Sequence, residues 1–348
     1  MKNLLLATIL SFMTLACLAQ QHRALLVGVA DYPENSGWRK IHSDNDVALL
    51  QNVLEKSFDV VSSLINEKAT YSNICTQLEA LKNSTNEGDT VLISFSCHGQ
   101  QMLSHDKNEP DSLDEALIPY DAFEKYSNSY QGENHLKDDY LSRCVTEIRK
   151  RAGVTGFVLV LLDACHSGDS YRNSNVRANA DSFFYRGGYP VFGLGGEKIE
   201  HVRRDLKDIV QMDIMTNASD VLYISACQSY QTNAEMKYGD KWYGSLVYAF
   251  CEAYNAHGLN NLTMLCFDIQ NKITAYNKIS KQTPEFATSI PNLLQPTPVP
   301  TEDCNGNCED NCKCSSDCNC STESNSSLIP IAAVLLLIVV ILCVWKRK

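Results

Sequence analysis

The chain has 348 residues, of which 44% are hydrophobic, and it carries a formal net charge of −11 and 15 cysteines. That length fits one large domain with accessory segments, and the apolar content supplies a core. The acidic balance excludes a nucleic-acid partner as the first reading, because phosphate binding needs a basic face.

Met1-Lys2-Asn3 precedes the apolar run Leu4 to Leu18, which reads as a secretory signal over residues 1–19. Residues 20–290 then form the main domain. Arg23 to Ala30 predicts the first strand, and Ser43 opens a helix through Glu55 whose apolar positions Val47, Leu50, Val53 and Leu54 share one face. A strand over Phe58 to Ile65 and a helix over Thr70 to Leu81 follow. Gly88-Asp89 turns into the apolar strand beginning at Thr90, which ends in Phe95-Ser96-Cys97-His98-Gly99. Strands alternating with helices of this length predict a mostly parallel sheet flanked by helices.

Asp138 to Arg151 reads as the next helix, with Asp138 and Asp139 placed to suit its dipole. Val158 to Leu162 is an unbroken apolar run after two glycines, as expected of a buried parallel strand. It ends in Asp163-Ala164-Cys165-His166-Ser167-Gly168. Open α/β sheets place ligands at the carboxyl ends of their strands. Two such strands, one ending in His98 and one in Cys165, can bring a thiol and an imidazole to one crevice. A Cys nucleophile needs that partner, because the thiolate and not the thiol attacks. The backbone N–H groups of Gly99 and Cys165 are the candidate oxyanion donors, and His166 is the weaker candidate base.

The paired stretches around His98 and Cys165 resemble the caspase-like cysteine peptidases, and among them the metacaspases, over about Arg23 to Ser289. The resemblance implies a caspase-like α/β sandwich, with His98 as general base and Cys165 as nucleophile. It also implies a pocket for a basic side chain made by Asp44, Ser96 and Asp163, hence cleavage after Arg or Lys. No cofactor is required for that chemistry. Calcium-dependent relatives use an Asp pair matching Asp138 and Asp139, so calcium is an expected activator. The family usually has Gly where this chain has Cys97, which leaves room for redox inhibition beside the base or for a slightly altered loop. Ser225-Ala226-Cys227-Gln228 and Gln231-Thr232-Asn233-Ala234 resemble a family loop after the fifth strand, and Gln282-Thr283-Pro284 resembles the approach to its last strand.

Between these motifs, residues 169–215 show little periodicity and carry basic residues from Arg172 to Lys207. Such a stretch inside a compact domain is usually functional, and self-cleavage after one of those basic residues is expected. Val221 to Ala226 resumes as a strand, and Gly244 to Ala256 and Cys266 to Ile279 read as helices.

Residues 291–327 are a Pro-rich spacer and a stalk with six cysteines from Cys304 to Cys320, which suggests a disulfide knot, with thiolate metal binding as the alternative. Leu328 to Trp345 is long enough and apolar enough for one membrane helix, and Lys346-Arg347-Lys348 is a basic flank that stays cytosolic. The expected protein is therefore a single-pass membrane protein with a lumenal or extracellular cysteine endopeptidase acting on protein or peptide substrates. A transamidase of the glycolipid-anchor type and a catalytically silent receptor ectodomain are the alternatives.

Overall fold

Alternate residues of the central strands pack on opposite faces of one sheet. Leu25 and Val27 face one apolar core, whereas Ala24 and Leu26 face the other. This alternation is the period-two rule of a strand covered on both sides. A computed structural model of the chain describes residues 20–103, 113–165, 184–187, 206–210, 215–229, 231–276 and 282–294.

The main sheet contains β1 (His22–Gly28), β2 (Val60–Ile65), β3 (Thr90–Ser96), β7 (Phe157–Asp163), β8 (Asp220–Ser225) and β11 (Glu285–Thr288). Its order is β11-β8-β7-β3-β1-β2, parallel throughout except for β11, which runs antiparallel to β8. The mostly parallel sheet flanked by helices matches the expected caspase-like sandwich. On one face lie α1 (Ser43–Leu54), α5 (Ser245–His257) and α6 (Leu262–Tyr276). On the other lie α2 (Tyr71–Ser84) and α3 (Asp138–Ala152). A single turn, α4 (Leu206–Ile209), contributes Leu206 to that second face.

Two small sheets were not legible in the sequence pattern. β4 (Gly99–Leu103), β5 (Leu113–Leu117) and β6 (Leu136–Lys137) form an antiparallel sheet, and β9 (Glu235–Tyr238) and β10 (Lys241–Gly244) form a hairpin. Of the expected helices, the last starts one turn earlier than read, at Leu262.

The strand order sends the connection from β1 to β2 one way and that from β3 to β7 the other, so the direction reverses between β1 and β3. A crevice forms at the carboxyl ends of strands around such a switch. β3 and β7 are register neighbours there, with Ser96 opposite Asp163.

The chain divides into two units, Met1–Gln295 and Pro296–Lys348. The expected signal over 1–19, the expected cysteine-rich stalk and the apolar stretch Leu328 to Trp345 lie outside the described residues. Among the described residues, no helix is long and apolar enough to cross a membrane. The seven described cysteines form no disulfide.

Candidate active site

Beyond the Ser96–Asp163 pair, each chain leaves its strand, and two residues later come His98 and Cys165. Both are buried. The His98 ring stacks on Trp38 at 5.1 Å between centroids and lies against Tyr32. Its Nε2 is 2.8 Å from the carbonyl oxygen of Arg39. A carbonyl only accepts, so Nε2 carries the proton and Nδ1 carries the lone pair. That Nδ1 is buried with no hydrogen-bond partner among the described residues. Burial pushes the His98 pKa down to about 4, against the pull of the Arg39 carbonyl. The imidazole is therefore neutral at pH 7 and equipped to take a proton at Nδ1.

The Cys165 thiol donates to the carbonyl of Gln231 at 3.0 Å. A second thiol, Cys227, approaches the same carbonyl at 3.6 Å. Its pKa is raised well above the usual thiol range, first by a hydrogen bond with Cys165 and then by burial. Cys97 is not the neighbour expected beside the site. It turns into the apolar core under the sheet, and burial pushes its pKa up to about 12. The reason is alternation: Ser96 faces the crevice, so the next residue faces away.

The backbone N–H of Cys165 donates to the carbonyl oxygen of Arg186 at 2.9 Å, and that of Gly99 donates to the same oxygen at 3.2 Å. Two amides from different loops thus converge on one carbonyl, the arrangement an oxyanion requires.

The Arg186 side chain enters a pocket of carboxylates, fully buried. Nη2 is 2.6 Å from Asp46 Oδ2 and 2.8 Å from Glu235 Oε1, and Nε is 3.2 Å from the same Glu235 oxygen. Nη1 donates to the Ser96 hydroxyl at 2.6 Å and lies 3.3 Å from Asp163 Oδ1. The carboxylates are themselves held. Asp46 accepts from Gly244 N–H and from Ser96 Oγ, and Asp163 accepts from Asn233 Nδ2 and the Val247 N–H. Glu235 accepts from the His42 N–H, and its other oxygen is 2.6 Å from His42 Nδ1. Burial works against the Arg186 charge, but the three carboxylates more than offset it and hold the guanidinium protonated. Burial pushes Asp46 up to about 6, although Arg186 and Ser96 pull the other way. Burial also acts to raise Glu235, but Arg186 and His42 hold it below the usual carboxylate range.

Gly244 closes this pocket. A Cβ there would overlap Asp163 Oδ2 and come 2.6 Å from Arg186 Nη1. Only glycine allows the backbone of β10 to approach so closely.

The structure brings together Ser96, His98, Gly99, Asp163 and Cys165 and leaves out Asp44. Asp44 is exposed and accepts from the Asn45 N–H. A helix turns about 100° per residue, so Asp46, two positions on, points to the other side, into the crevice. Asp46, Glu235, Asn233 and Gly244 were missed as pocket residues. Asp138 and Asp139 sit half-buried in the first turn of α3. Among the described residues no cluster of three or more His, Cys, Asp or Glu stands ready for a metal.

Residues 22–172 match the family model described as the metacaspase, peptidase C14 domain. That stretch, under half of the chain, is similar to a metacaspase domain. Among curated relatives, Metacaspase-1 of Mycosarcoma maydis is 22% identical over 267 residues, covering 68% of this chain and 63% of the relative. Metacaspase-2 of Arabidopsis thaliana is 26% identical over 259 residues, covering 70% of this chain and 55% of the relative. The chain thus spans under two thirds of the length of these two metacaspases. A solved structure of a Geobacter sulfurreducens protein aligns with a TM-score of 0.50 and 22% identity, over 77% of this chain and 93% of that one. That likeness concerns the fold. The metacaspases are caspase-like C14 cysteine peptidases, which fits a buried thiol, a neutral imidazole and a pair of convergent amides at the carboxyl ends of adjacent strands.

Proposed function

We propose that this chain is a cysteine endopeptidase that cleaves after Arg and, less well, after Lys. One observation carries the reading. A single residue, Arg186, rests its carbonyl on the amides of Gly99 and Cys165 while its guanidinium fills the pocket of Asp46, Asp163 and Glu235. A substrate residue before a scissile bond has the same two requirements.

In this reading His98 Nδ1 takes the thiol proton as Cys165 Sγ attacks the carbonyl carbon. The negative oxygen that forms lies between the Gly99 and Cys165 amides. His98 then gives its proton to the leaving amine, and a thioester remains on Cys165. Water, deprotonated by His98, releases the acid and restores the thiol. Asp46 and Asp163 reject a substrate carboxylate by repulsion and by denying it donors.

The membrane reading rests on sequence alone: an 18-residue apolar stretch, Leu328 to Trp345, followed at once by Lys346-Arg347-Lys348. Together with the expected leader over 1–19, it supports a reading in which the peptidase domain is lumenal or extracellular. Calcium enters no step of the mechanism.

A library of peptides incubated with the purified chain, with a Cys165→Ala control and an added amine acceptor, tests the assignment. Hydrolysis products dependent on Cys165 support the peptidase. Preferential transfer to the amine supports a transamidase instead. Absence of any Cys165-dependent product removes both.

A further inference from the structure

Resting on that reading, we infer that the site has a second specificity pocket, a corner of His42 and Trp242 that takes an aromatic side chain two residues before the cleaved Arg. Preferred substrates then carry an aromatic residue, any residue, and Arg in succession. The chain's own residues 184–186 lie as such a segment would. The Arg186 N–H donates to the Asn233 carbonyl at 3.0 Å, and the Glu235 N–H donates to the Phe184 carbonyl at 2.8 Å. Tyr185 bridges antiparallel to Ala234. An extended segment added to a strand edge gains affinity from main-chain bonds of this kind and selectivity from pockets for alternate side chains. Alternation puts residues 184 and 186 on one side of the segment and Tyr185 on the other.

Arg186 fills one pocket, and Phe184 marks the other. The Phe184 ring meets His42 edge-on at 4.5 Å and Trp242 at 5.1 Å, steeply inclined to both. The two receiving rings are within 24° of parallel, with centroids 6.3 Å apart. Edge-to-face contacts at these separations are favoured by the ring quadrupoles, over and above plain apolar burial. An aliphatic side chain in the same corner has the burial without the quadrupole.

The corner is held by groups outside the segment it receives. Trp242 stands two residues before Gly244 on β10, so the face that closes the arginine pocket at Gly244 also carries Trp242. The Trp242 carbonyl accepts from Asn45 Nδ2 at 3.0 Å, which ties it to α1. His42 immediately precedes α1, and its Nδ1 is 2.6 Å from Glu235 Oε2. An ionised carboxylate only accepts, so Nδ1 carries the proton. The other Glu235 oxygen receives the Arg186 guanidinium. One imidazole therefore orients a carboxylate of the arginine pocket and forms a wall of the aromatic corner. Both His42 and Trp242 are only half-buried with Phe184 against them, so the corner lies at the surface, within reach of an incoming peptide.

The test uses the purified full chain and three fluorogenic peptides, Phe-Ala-Arg, Leu-Ala-Arg and Ala-Ala-Arg, each blocked at its amino end and cut after Arg. Competition from the chain's own segment lowers every kcat/KM by the same factor and leaves their ratios intact. The wild type should favour the Phe peptide over the Ala peptide by about tenfold or more, and over the Leu peptide by about threefold. In Trp242→Ala the Phe-to-Ala ratio should fall close to one, and Trp242→Phe should restore most of it. A tryptophan that only supports the fold would slow all three peptides alike, without changing the ratios. A wild-type ratio near one, or a ratio unchanged in Trp242→Ala, overturns this inference and leaves the peptidase reading standing. No Cys165-dependent cleavage of any of the three peptides overturns both.

Discussion

The carbonyl oxygen of Arg186 stands 2.9 Å from the amide nitrogen of Cys165, in the position where a peptidase of this design gathers negative charge. Everything around that oxygen is arranged in relation to it. The base is neutral, its lone pair is unsatisfied, and the pocket behind the guanidinium carries three carboxylates.

Glu235 should separate Arg from Lys. Its Oε1 receives both Nε and Nη2 of the guanidinium, and an ammonium offers no such fork. Glu235→Gln should lower kcat/KM for an Arg peptide by about 10- to 100-fold, the equivalent of ~1.5–3 kcal/mol for a hydrogen bond to a charged group. The loss for the matched Lys peptide should be smaller. Equal losses on the two peptides would remove Glu235 from selection.

Gly244→Ala should close the pocket without unfolding the chain. The added methyl meets Asp163 and the guanidinium, and overpacking of this kind amounts to ~1–3 kcal/mol. Steady-state kinetics should show a lower kcat/KM for Arg peptides while circular dichroism remains that of the wild type. Wild-type kinetics in this variant would contradict the pocket.

The acid side of the pH profile should be set by the pocket and not by the base. Asp46 titrates at about 6 and must be ionised to hold the guanidinium, so binding is lost as pH falls through that value. His98 must be neutral, and its pKa of about 4 postpones its own loss to lower pH. The profile of kcat/KM for an Arg peptide should therefore fall below about pH 6, and Asp46→Asn, weaker overall, should lack that limb. A wild-type profile flat down to pH 5 would be inconsistent with this assignment.

Cys165→Ala and His98→Ala should each remove turnover almost as fully as both together, because the two act as one unit. Rates of the two single variants and the double variant measure this. Losses that multiply would show that the imidazole works independently of the thiol.

Much of this arrangement is legible in the chain. The apolar runs ending at Ser96 and Asp163 announce two buried parallel strands, and the polar residues after them mark the crevice. The error at Asp44 had a remedy in the sequence. Asp46 lies four residues before Leu50 and seven before Val53, on the same face of α1 as those core positions, so helix phase already pointed it inward. Glu235 had a weaker signal. Gly239-Asp240 marks a hairpin turn, and Gly239 adopts a φ of +59°, but a strand pair of four residues each carries too little pattern to show which face meets the site. β4 hides for another reason: its Gln100 and Gln101 are buried polar residues, which alternation of apolar side chains does not reveal. Arg186 could not be singled out at all. It is one of several basic residues between Arg172 and Lys207, and only long-range contacts to Ser96, Asp46 and Glu235 distinguish it.

The most direct measurement compares two peptides that differ only in Arg or Asp before the scissile bond, cleaved by the wild-type, Cys165→Ala and Asp163→Asn chains. Cleavage of the Arg peptide alone, absent in Cys165→Ala and markedly reduced in Asp163→Asn, is the predicted result. Comparable rates on the two peptides, or an Arg preference unchanged in Asp163→Asn, would contradict a peptidase that selects its substrate through this acidic pocket.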